Sequence, residues 1–523
     1  MNMKKYFFIL LILHSFIMVG YADNSPNVLF IGIDDLRVEL GCYGSKQIHS
    51  PNIDKLSREA VQFNRAYVQQ AVCSASRASI LSGCRPDTTG VDYPYSLYFV
   101  NEFLKSHDSL TSFFTKNGYY TRNLGKIHHG GQAKDYATEK AWEPPFQNHY
   151  QLPENIELGM QYKSGRGPKT PAFELADFPD KHYKDGMTTS ETLATLDRIK
   201  NLKPKDQPFF LAVGYLKPHL PFVCPKKYGD LYDPKQIKIP NNFVLPKDSD
   251  VFTIATYALK SYAGPNPTAE ENVPLAYARN LIHAYYACIS FIDHQVGILL
   301  NKIKELGYEE NTIVVLWSDH GYHLGHQGMW GKTTNYENAT RSPLMIKDPR
   351  IQETSGMQTE AWVEYVDIYP TLAELCGLSI PQYLEGTSMV PLLYNPTLKW
   401  KSAAFSQFPR GKNLEGYAIR TNRFRYIEWW NKNKDTDQLK SIRLKELYDH
   451  EIDPEETVNV AANPEYKNWV SELELKLKAG WKEALPEGFQ NLSNNPKAPP
   501  AVSFKKSKKN RLSMMGRLKK SNF

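Results

Sequence analysis

Several short clusters in this 523-residue sequence carry side chains able to do chemistry, and each closes an apolar run. Asp34 and Asp35 end "NVLFIGIDD", and Asp319 and His320 end "NTIVVLWSDHG". Either pair alone is what a turn uses. Together they offer three carboxylates and an imidazole on neighbouring strand ends, which is electrostatically costly without a cation. An oxygen-rich donor set suits Ca²⁺ or Mg²⁺, whereas Zn²⁺ draws more His or Cys. Lys217 and His219 lie in "PFFLAVGYLKPHLPF", and Lys126, His128 and His129 end "GYYTRNLGKIHH". In "AVCSASRASILSGCRP", Cys73 opens a helical run with Arg77 one turn on. A helix N-terminus and a guanidinium both stabilise negative charge there. Cysteine is also common as a buried free thiol, against which stand the polar neighbours Ser74, Ser76 and Arg77.

These residues need elements that bring them to one edge. Helical patterns fall between the apolar runs, in "NIDKLSREAVQF" and in "LIHAYYACISFIDHQVGILLNKIKEL", where Ile282, Tyr286, Ile289, Val296 and Leu300 recur at helical spacing. Strands alternating with helices predict an α/β fold, a large mixed and mostly parallel sheet between helices. Sites in such sheets form beyond the carboxyl ends of the strands, where the polar clusters fall. Residues 130–200 and 225–275 show weak periodicity and read as long excursions over the sheet. From about residue 397 the pattern changes to antiparallel strands and turns, "AAFSQFP", "GYAIRTNRFRYIEWW" and "KELYDHEIDPEETVNV", closed by a helix "WVSELELKLKAGWKEA". The expected division is a leader at 1–22, a catalytic domain at 23–396, a smaller α+β domain with an antiparallel sheet at 397–490, and a basic, disordered tail at 491–523.

The leader carries Lys4 and Lys5, an apolar run and Gly20-Tyr21-Ala22, the pattern of a secretory signal cut after Ala22. Export to the periplasm or beyond is expected, without a transmembrane anchor. The net charge of +7 misleads: nine Lys/Arg and no Asp or Glu lie from Lys497 onward, and the leader holds two more Lys, leaving the body at about −4. Nucleic acid is therefore not an expected partner. Six cysteines, at 42, 73, 84, 224, 288 and 376, have no zinc spacing and build no dense disulfide framework.

The segment "CSASRASILSG" resembles the signature of the type I sulfatases, in which a cysteine in C-x-P/A-S-R context is oxidised after translation to formylglycine. The similarity continues through "VLFIGIDDLRVELGCYG", "SPNIDKLSREAVQFNRAY", "RPDTTGV", "GKIHHGG", "PFFLAVGYLKPHLPF", "YYACISFIDHQVG", "SDHGYHLGHQGMWGK", "SPLMIKDP" and "VEYVDIYPTLAELCGL", in family order. It is strongest toward the iduronate-2-sulfatase-like branch, down to "AFSQFPR" and "YAIRTNRFRY". The resemblance implies an alkaline-phosphatase-like sandwich and a set of roles. Asp34, Asp35, Asp319, His320 and the modified Cys73 would hold Ca²⁺. Arg77 would hold the formylglycine hydrate, Lys126 and Lys332 would contact sulfate, His129 would be the base at the hydrate, and His219 would protonate the departing sugar oxygen. A hydroxyl of the hydrate would attack sulfur and the second would expel sulfate, a step that neither thiol nor serine can perform.

The sequence departs from that pattern in places. Ala75 stands where most members have Pro, Cys84 replaces the motif's closing Arg with Arg85 beside it, and Gln327 in "GHQG" stands where His is common. His128 adjoins His129, and spacing favours the latter. The resemblance implies a sulfated oligo- or polysaccharide as substrate and a sulfatase-maturating enzyme as partner. An algal polymer of ulvan or carrageenan type is the first expectation, a glycosaminoglycan uronate 2-O-sulfate the second. A phosphatase or phosphonate hydrolase on the same fold, and a non-catalytic glycan-binding relative with Cys73 unmodified, are the alternatives. Lys217, Arg410 and Lys412 are cations that would read sugar carboxylates or stand as solvated charge.

Overall fold

Every residue of β1 (Asn27–Ile33) is buried, and its side chains alternate between two cores. Leu29, Ile31 and Ile33 enter one core; Val28 and Phe30 enter the other. This is the period-two signature of a strand covered on both faces, each fully buried aliphatic or aromatic contributing roughly 1.5–3 kcal/mol. The computed structural model describes residues 25–91, 103–129, 142–144, 150–161, 169–202, 207–255, 258–268, 271–433 and 438–494. The expected leader, part of the first excursion and nearly all of the basic tail lie outside the described residues.

The central sheet adds β2 (Val61–Tyr67), β3 (Tyr120–Gly125), β4 (Phe209–Tyr215), β5 (Thr312–Ser318), β6 (Leu344–Lys347) and β7 (Gln358–Glu364). The order is β7-β2-β6-β5-β1-β4-β3. β6 runs antiparallel to both neighbours and the other pairings are parallel, so the sheet is mixed and mostly parallel, as expected. One face is covered by α1 (Pro51–Ser57), α3 (Lys184–Leu202) and α4 (Leu275–Glu305), the other by α2 (Cys73–Ser82) and α5 (Ile368–Leu375). In α4 the residues picked out by periodicity, Ile282, Tyr286, Ile289 and Val296, are buried, and Leu300 packs at the margin. Asp293 of the same helix accepts from the amides of Asn52 (3.0 Å) and Ile53 (2.8 Å), satisfying the open N-terminus of α1.

Two expectations need correction. The helix expected through "NIDKLSREAVQF" ends at Ser57, and Val61 already begins β2. There Val61 and Phe63 alternate into the core and pair with Ile346 and Leu344. Strand pairing and burial override the continuous apolar spacing. The first excursion holds the 19-residue helix α3 at its end. Its threonines hid it, since β-branched hydroxyl residues read as poor helix formers. In the fold Thr188, Thr189, Thr192 and Thr195 donate to the carbonyls one turn back, at 2.7–3.1 Å.

The smaller unit is an antiparallel sheet of β8 (Ala404–Arg410), β9 (Leu414–Arg420), β10 (Phe424–Lys432) and β11 (Leu439–Asp449). Val470, Leu473 and Leu477 of α6 (Lys467–Ala479) cover one face. A buried ion network ties it to the main sheet. Lys401 Nζ lies 3.0 Å from Glu364 and 2.8 Å from both oxygens of Asp367, while Arg85 grips Glu364 at 2.8 and 2.6 Å.

Candidate active site

Ile33 of β1 is in register with Ser318 of β5 and Tyr215 of β4, so the next residue of each strand emerges at one edge. The Asp34 amide donates to the Tyr215 carbonyl at 3.1 Å and the Asp35 amide to Asp319 Oδ1 at 3.1 Å. Asp35 turns the chain in the left-handed region, with φ of 62°. Tyr285 of α4 holds that turn: its hydroxyl donates to the Asp35 carbonyl at 2.7 Å and accepts the Arg37 amide at 3.1 Å. Asp34, Asp35, Asp319 and His320 are all fully buried.

Cys73 enters at the first residue of α2, a helix with every residue buried. Its sulfur lies 3.3 Å from His320 Nε2 and 3.9 Å from Asp35 Oδ1. One ligand atom each from Asp34, Cys73, Asp319 and His320 fall within 4.8 Å of one another, as do those of Asp34, Asp35, Cys73 and His219. The fold thus assembles all five metal-ligand candidates. His320 is oriented for the task, since its Nδ1 donates to the Gly321 carbonyl at 3.0 Å and leaves Nε2 facing the carboxylates.

Three cations surround these acids. Arg77 donates Nε to Asp319 at 2.9 Å, one terminal nitrogen to Asp34 at 3.1 Å, and the other to the carbonyls of Lys126 and Ile127. Lys126 Nζ pairs with Asp34, and Lys332 Nζ reaches both oxygens of Asp35 at 2.5 and 2.7 Å. Burial raises the Asp34 carboxyl, but the charges of Lys126 and Arg77, with the Asp319 hydrogen bond, help to hold it well below the usual range. Burial likewise raises Asp35, and the groups around it, Lys332 first, together bring it below its ordinary value. Asp319 goes the other way: burial lifts it, Arg77 pulls against that, and the charge of Asp34 reinforces it. Burial is what raises Asp319, and a hard cation would offset that cost; the donor set of carboxylate oxygens with one imidazole fits Ca²⁺.

The expectation that Arg77 and the helix dipole stabilise negative charge on Cys73 is corrected. Burial raises the thiol well above its ordinary value, Asp34 adds to this, and Lys126 and Lys332 only partly offset it. Arg77 is turned to the carboxylates and carbonyls, with four of its five donors engaged there. Unmodified Cys73 is a thiol and not an activated nucleophile.

The histidines divide clearly. His128 Nε2 meets Asn123 Nδ2 at 3.1 Å, away from the acids, and burial with Arg77 brings its pKa down to about 3. His129 is lowered to about 4 by burial, Lys126 and Arg77, with Asp34 and Lys332 also in its field. His219 donates Nδ1–H to the Leu220 carbonyl at 2.5 Å, and burial and Lys332 lower it to about 3, which leaves a neutral ring with one nitrogen within 4.8 Å of ligand atoms of Asp34, Asp35 and Cys73. Sequence reasoning missed Asp185, whose carboxylate accepts the amides of Leu216 (2.6 Å) and Lys217 (3.2 Å) and anchors the loop carrying His219. It lies in α3, the helix hidden by its threonines.

With that geometry in view, residues 26–378 match the family described as Sulfatase, and residues 325–483 match "N-sulphoglucosamine sulphohydrolase, C-terminal". The chain belongs to the sulfatase family. It is 31% identical to iduronate 2-sulfatase of Mus musculus, covering 84% of this chain and 91% of the relative. It is 29% identical to an ulvan-active sulfatase of Formosa agariphila, covering 87% of this chain and 80% of the relative. Among solved structures, the phosphonate monoester hydrolase of Agrobacterium radiobacter shares the fold with a TM-score of 0.66 at 23% identity, covering 86% of this chain and 94% of that one. This sulfatase is a sulfuric ester hydrolase on an alkaline-phosphatase-like fold.

The departures from the family motif are accommodated locally. Ala75 is buried in a small apolar cluster with Val72, Ala78, Val91 and Phe408. Cys84 directs its sulfur to the Tyr383 carbonyl at 3.4 Å, and Arg85 supplies the guanidinium to Glu364. Gln327 accepts from His323 at 2.9 Å and donates to the Glu455 carbonyl at 2.8 Å, outside the acidic cluster. Two of the cations read either as sugar contacts or as solvated charge are instead tied to backbone carbonyls. Lys217 is buried on the carbonyls of His219 and Pro221, both at 2.6 Å. Arg410 donates to the carbonyls of Phe252, Thr253 and Thr333, each at 2.7 Å. Lys412 stands exposed at the hairpin tip between β8 and β9. All six cysteines are free thiols.

Proposed function

We propose that this sulfatase removes sulfate esters from a sulfated polysaccharide through formylglycine formed at Cys73, with Ca²⁺ held by Asp34, Asp35, Asp319, His320 and the converted Cys73. The observation that carries the reading is the convergence of these donors on Cys73 Sγ, between the ammonium groups of Lys126 and Lys332. Ca²⁺ in that place would neutralise charge on the sulfate and its surroundings. The hydrated aldehyde would supply the oxygen nucleophile that the buried thiol lacks.

The chain's own side chains account for the rest. Burial works against the charge of Lys126 and Lys332, but the anionic groups around them, Asp34 first for Lys126 and Asp35 first for Lys332, together keep both as ammoniums, and they bind the equatorial sulfate oxygens. Arg77 braces Asp34 and Asp319, and its remaining donor is available to the converted Cys73. His129 takes a proton at the hydrate, and His219, whose Nε2 is bare in the neutral ring, takes up a proton there when the anionic substrate arrives and passes it to the leaving sugar oxygen, its Nδ1–H fixed on Leu220.

An algal polymer of ulvan or carrageenan type is the favoured substrate, supported by the ulvan-active relative; a glycosaminoglycan uronate 2-O-sulfate is the second reading, supported by the iduronate 2-sulfatases. Residues 23–396 form the catalytic domain, 397–490 the smaller one, and the leader directs export to the periplasm or beyond. Maturation by a sulfatase-modifying enzyme is part of the proposal. No helix among the described residues is long and apolar enough to cross a membrane. The test is sulfate release from ulvan oligosaccharides, carrageenan oligosaccharides and 2-O-sulfated uronate disaccharides, with and without chelator. Release from an algal oligosaccharide that chelation abolishes supports the reading. Hydrolysis of a phosphonate ester with no sulfate release contradicts it.

A further inference from the structure

Along the outer part of the main sheet lies a polar cavity of about 670 Å³ that the catalytic residues do not line. Its walls come from β2, the start of β7, the loop after β1 and the smaller domain, so it is a crevice between the two units. That volume suits one or two sugar rings. Its lining includes three guanidiniums, Arg65, Arg341 and Arg420, against two carboxylates, Glu337 and Glu360.

The guanidiniums differ in what holds them. Arg420 is fully committed, to Glu337 at 3.1 Å, His450 Nδ1 at 2.7 Å and the Thr421 carbonyl. Arg341 donates Nε to the Asn64 carbonyl at 2.7 Å, while its contact with Glu337 is 3.9 Å. Its terminal nitrogens therefore meet no acceptor at hydrogen-bond distance among the described residues. Arg65 reaches Glu360 at 2.9 Å and Asn422 Oδ1 at 3.0 Å, leaving one terminal nitrogen open. The Glu360 side chain is 63% exposed, and an exposed pair of this kind is worth about 0–1 kcal/mol, so a better anion can displace it. Among the described residues the Asn422 amide nitrogen meets no acceptor, its oxygen being taken by Arg65 and Trp362.

Glu337, His450 and Glu456 in one wall would at first sight suit a cation, with ligand atoms within 4.8 Å of one another. Arg425 already contacts both carboxylates at 2.5 Å, so that corner is neutralised from within. What the cavity leaves unmatched is donors, and guanidinium N–H groups match carboxylate and sulfate oxygens.

We propose that this crevice is a second carbohydrate-binding site, which takes a uronate or sulfated unit of the anionic polysaccharide on Arg341, Arg65 and Asn422. The choice of a sugar as the bearer of the oxyanion rests on the polysaccharide-sulfatase reading above. The placement of the anion does not.

The test titrates the unconverted Cys73 protein, which cannot turn over, with a 2-O-sulfated uronate disaccharide and, in parallel, with inorganic sulfate. Two disaccharide sites per chain are expected, falling to one in Arg341→Gln and in Asn422→Asp. The latter keeps the side-chain shape and the Trp362 bond while adding a repelling charge, and a thermal melt checks that both variants fold. In the converted enzyme both variants are expected to hydrolyse a nitrophenyl sulfate normally while KM for the polymer rises about tenfold. One disaccharide site, unchanged by either substitution, overturns the proposal. Inorganic sulfate filling the second site as tightly as the disaccharide overturns the assignment to a sugar. A converted enzyme that releases no sulfate while the second site still binds would sink the functional reading and leave the anion site standing.

Discussion

His320 Nε2 stands 3.3 Å from the Cys73 sulfur, with its other ring nitrogen committed to the Gly321 carbonyl at 3.0 Å. A ring so fixed presents a lone pair to the place where Asp34, Asp35 and Asp319 converge, which is how a metal-binding imidazole is held. Calcium should therefore stabilise the folded chain, by about 2.7 kcal/mol at a hundredfold excess over Kd. Thermal melts with Ca²⁺ and with chelator should differ for the native sequence and coincide for Asp319→Asn. Equal melting of the native protein in both would count against the site.

Lys126 pairs with Asp34 and Lys332 with Asp35 at the rim of the cluster, and in the proposed function both ammoniums bind the sulfate. Replacing either by Met should lower kcat/KM for sulfate esters by about 10²–10³-fold, the loss typical of one preorganised stabilising group. Steady-state kinetics on a soluble sulfate ester measures this, and a loss well under tenfold would remove the residue from the sulfate contact.

His219 should matter in proportion to how poor the leaving group is. His219→Ala is expected to lose about 10²–10⁴-fold on a sugar sulfate, whose alkoxide needs a proton. On nitrophenyl sulfate, whose phenolate leaves unaided, the loss should be small. Equal losses on both substrates would assign His219 to binding.

Lys401 holds two buried carboxylates, Glu364 and Asp367, at the seam between the sheet and the smaller domain. Lys401→Met leaves them without that partner and should destabilise the fold by about 3–5 kcal/mol, read from denaturant unfolding.

Two buried acids give opposite pH dependences. Burial raises Glu364, but Arg85 and Lys401 outweigh it and hold its pKa at about 2 against an ordinary 4.5. Its contribution is complete above pH 4.5 and is lost as pH falls toward 2. Asp185 is raised by burial from 3.8 to about 6, despite the Leu216 and Lys217 amides and the Lys217 charge. Its contribution is complete below pH 3.8 and is lost as pH rises through about 6. Melting temperature against pH should thus flatten between about 4 and 6 in Asp185→Asn, and a profile identical to the native one would contradict the assignment.

The strand ends were legible because a buried parallel strand is a continuous apolar run, and Asp34 and Asp319 break such runs abruptly. Cys73 was legible by its neighbours, and the antiparallel sheet by alternation in "GYAIRTNRFRYIEWW". What the sequence concealed depends on partners far along the chain. Tyr285 looks like a core residue of α4 until its hydroxyl is seen on the Asp35 turn. Asp185 sits in a threonine-rich stretch that reads as a poor helix former, yet in the fold it is helical with its hydroxyls bonded back to the preceding turn. Lys217 and Arg410 look like free cations, and only the fold shows them tied to carbonyls. The β2 strand was read as helix because local spacing carries no record of the β6 and β7 edges it joins.

The central claim is that Cys73 is converted to formylglycine, and the mass of the tryptic peptide Ala66–Arg77 tests it most directly. The protein is produced with an aerobic and, separately, an anaerobic maturation enzyme, since Ala75 replaces the usual proline. Conversion exchanges sulfur and two hydrogens for one oxygen, and the account predicts that mass, together with sulfate release by the same preparation. An unaltered thiol with both enzymes, or sulfate release undiminished in Cys73→Ala, would contradict it.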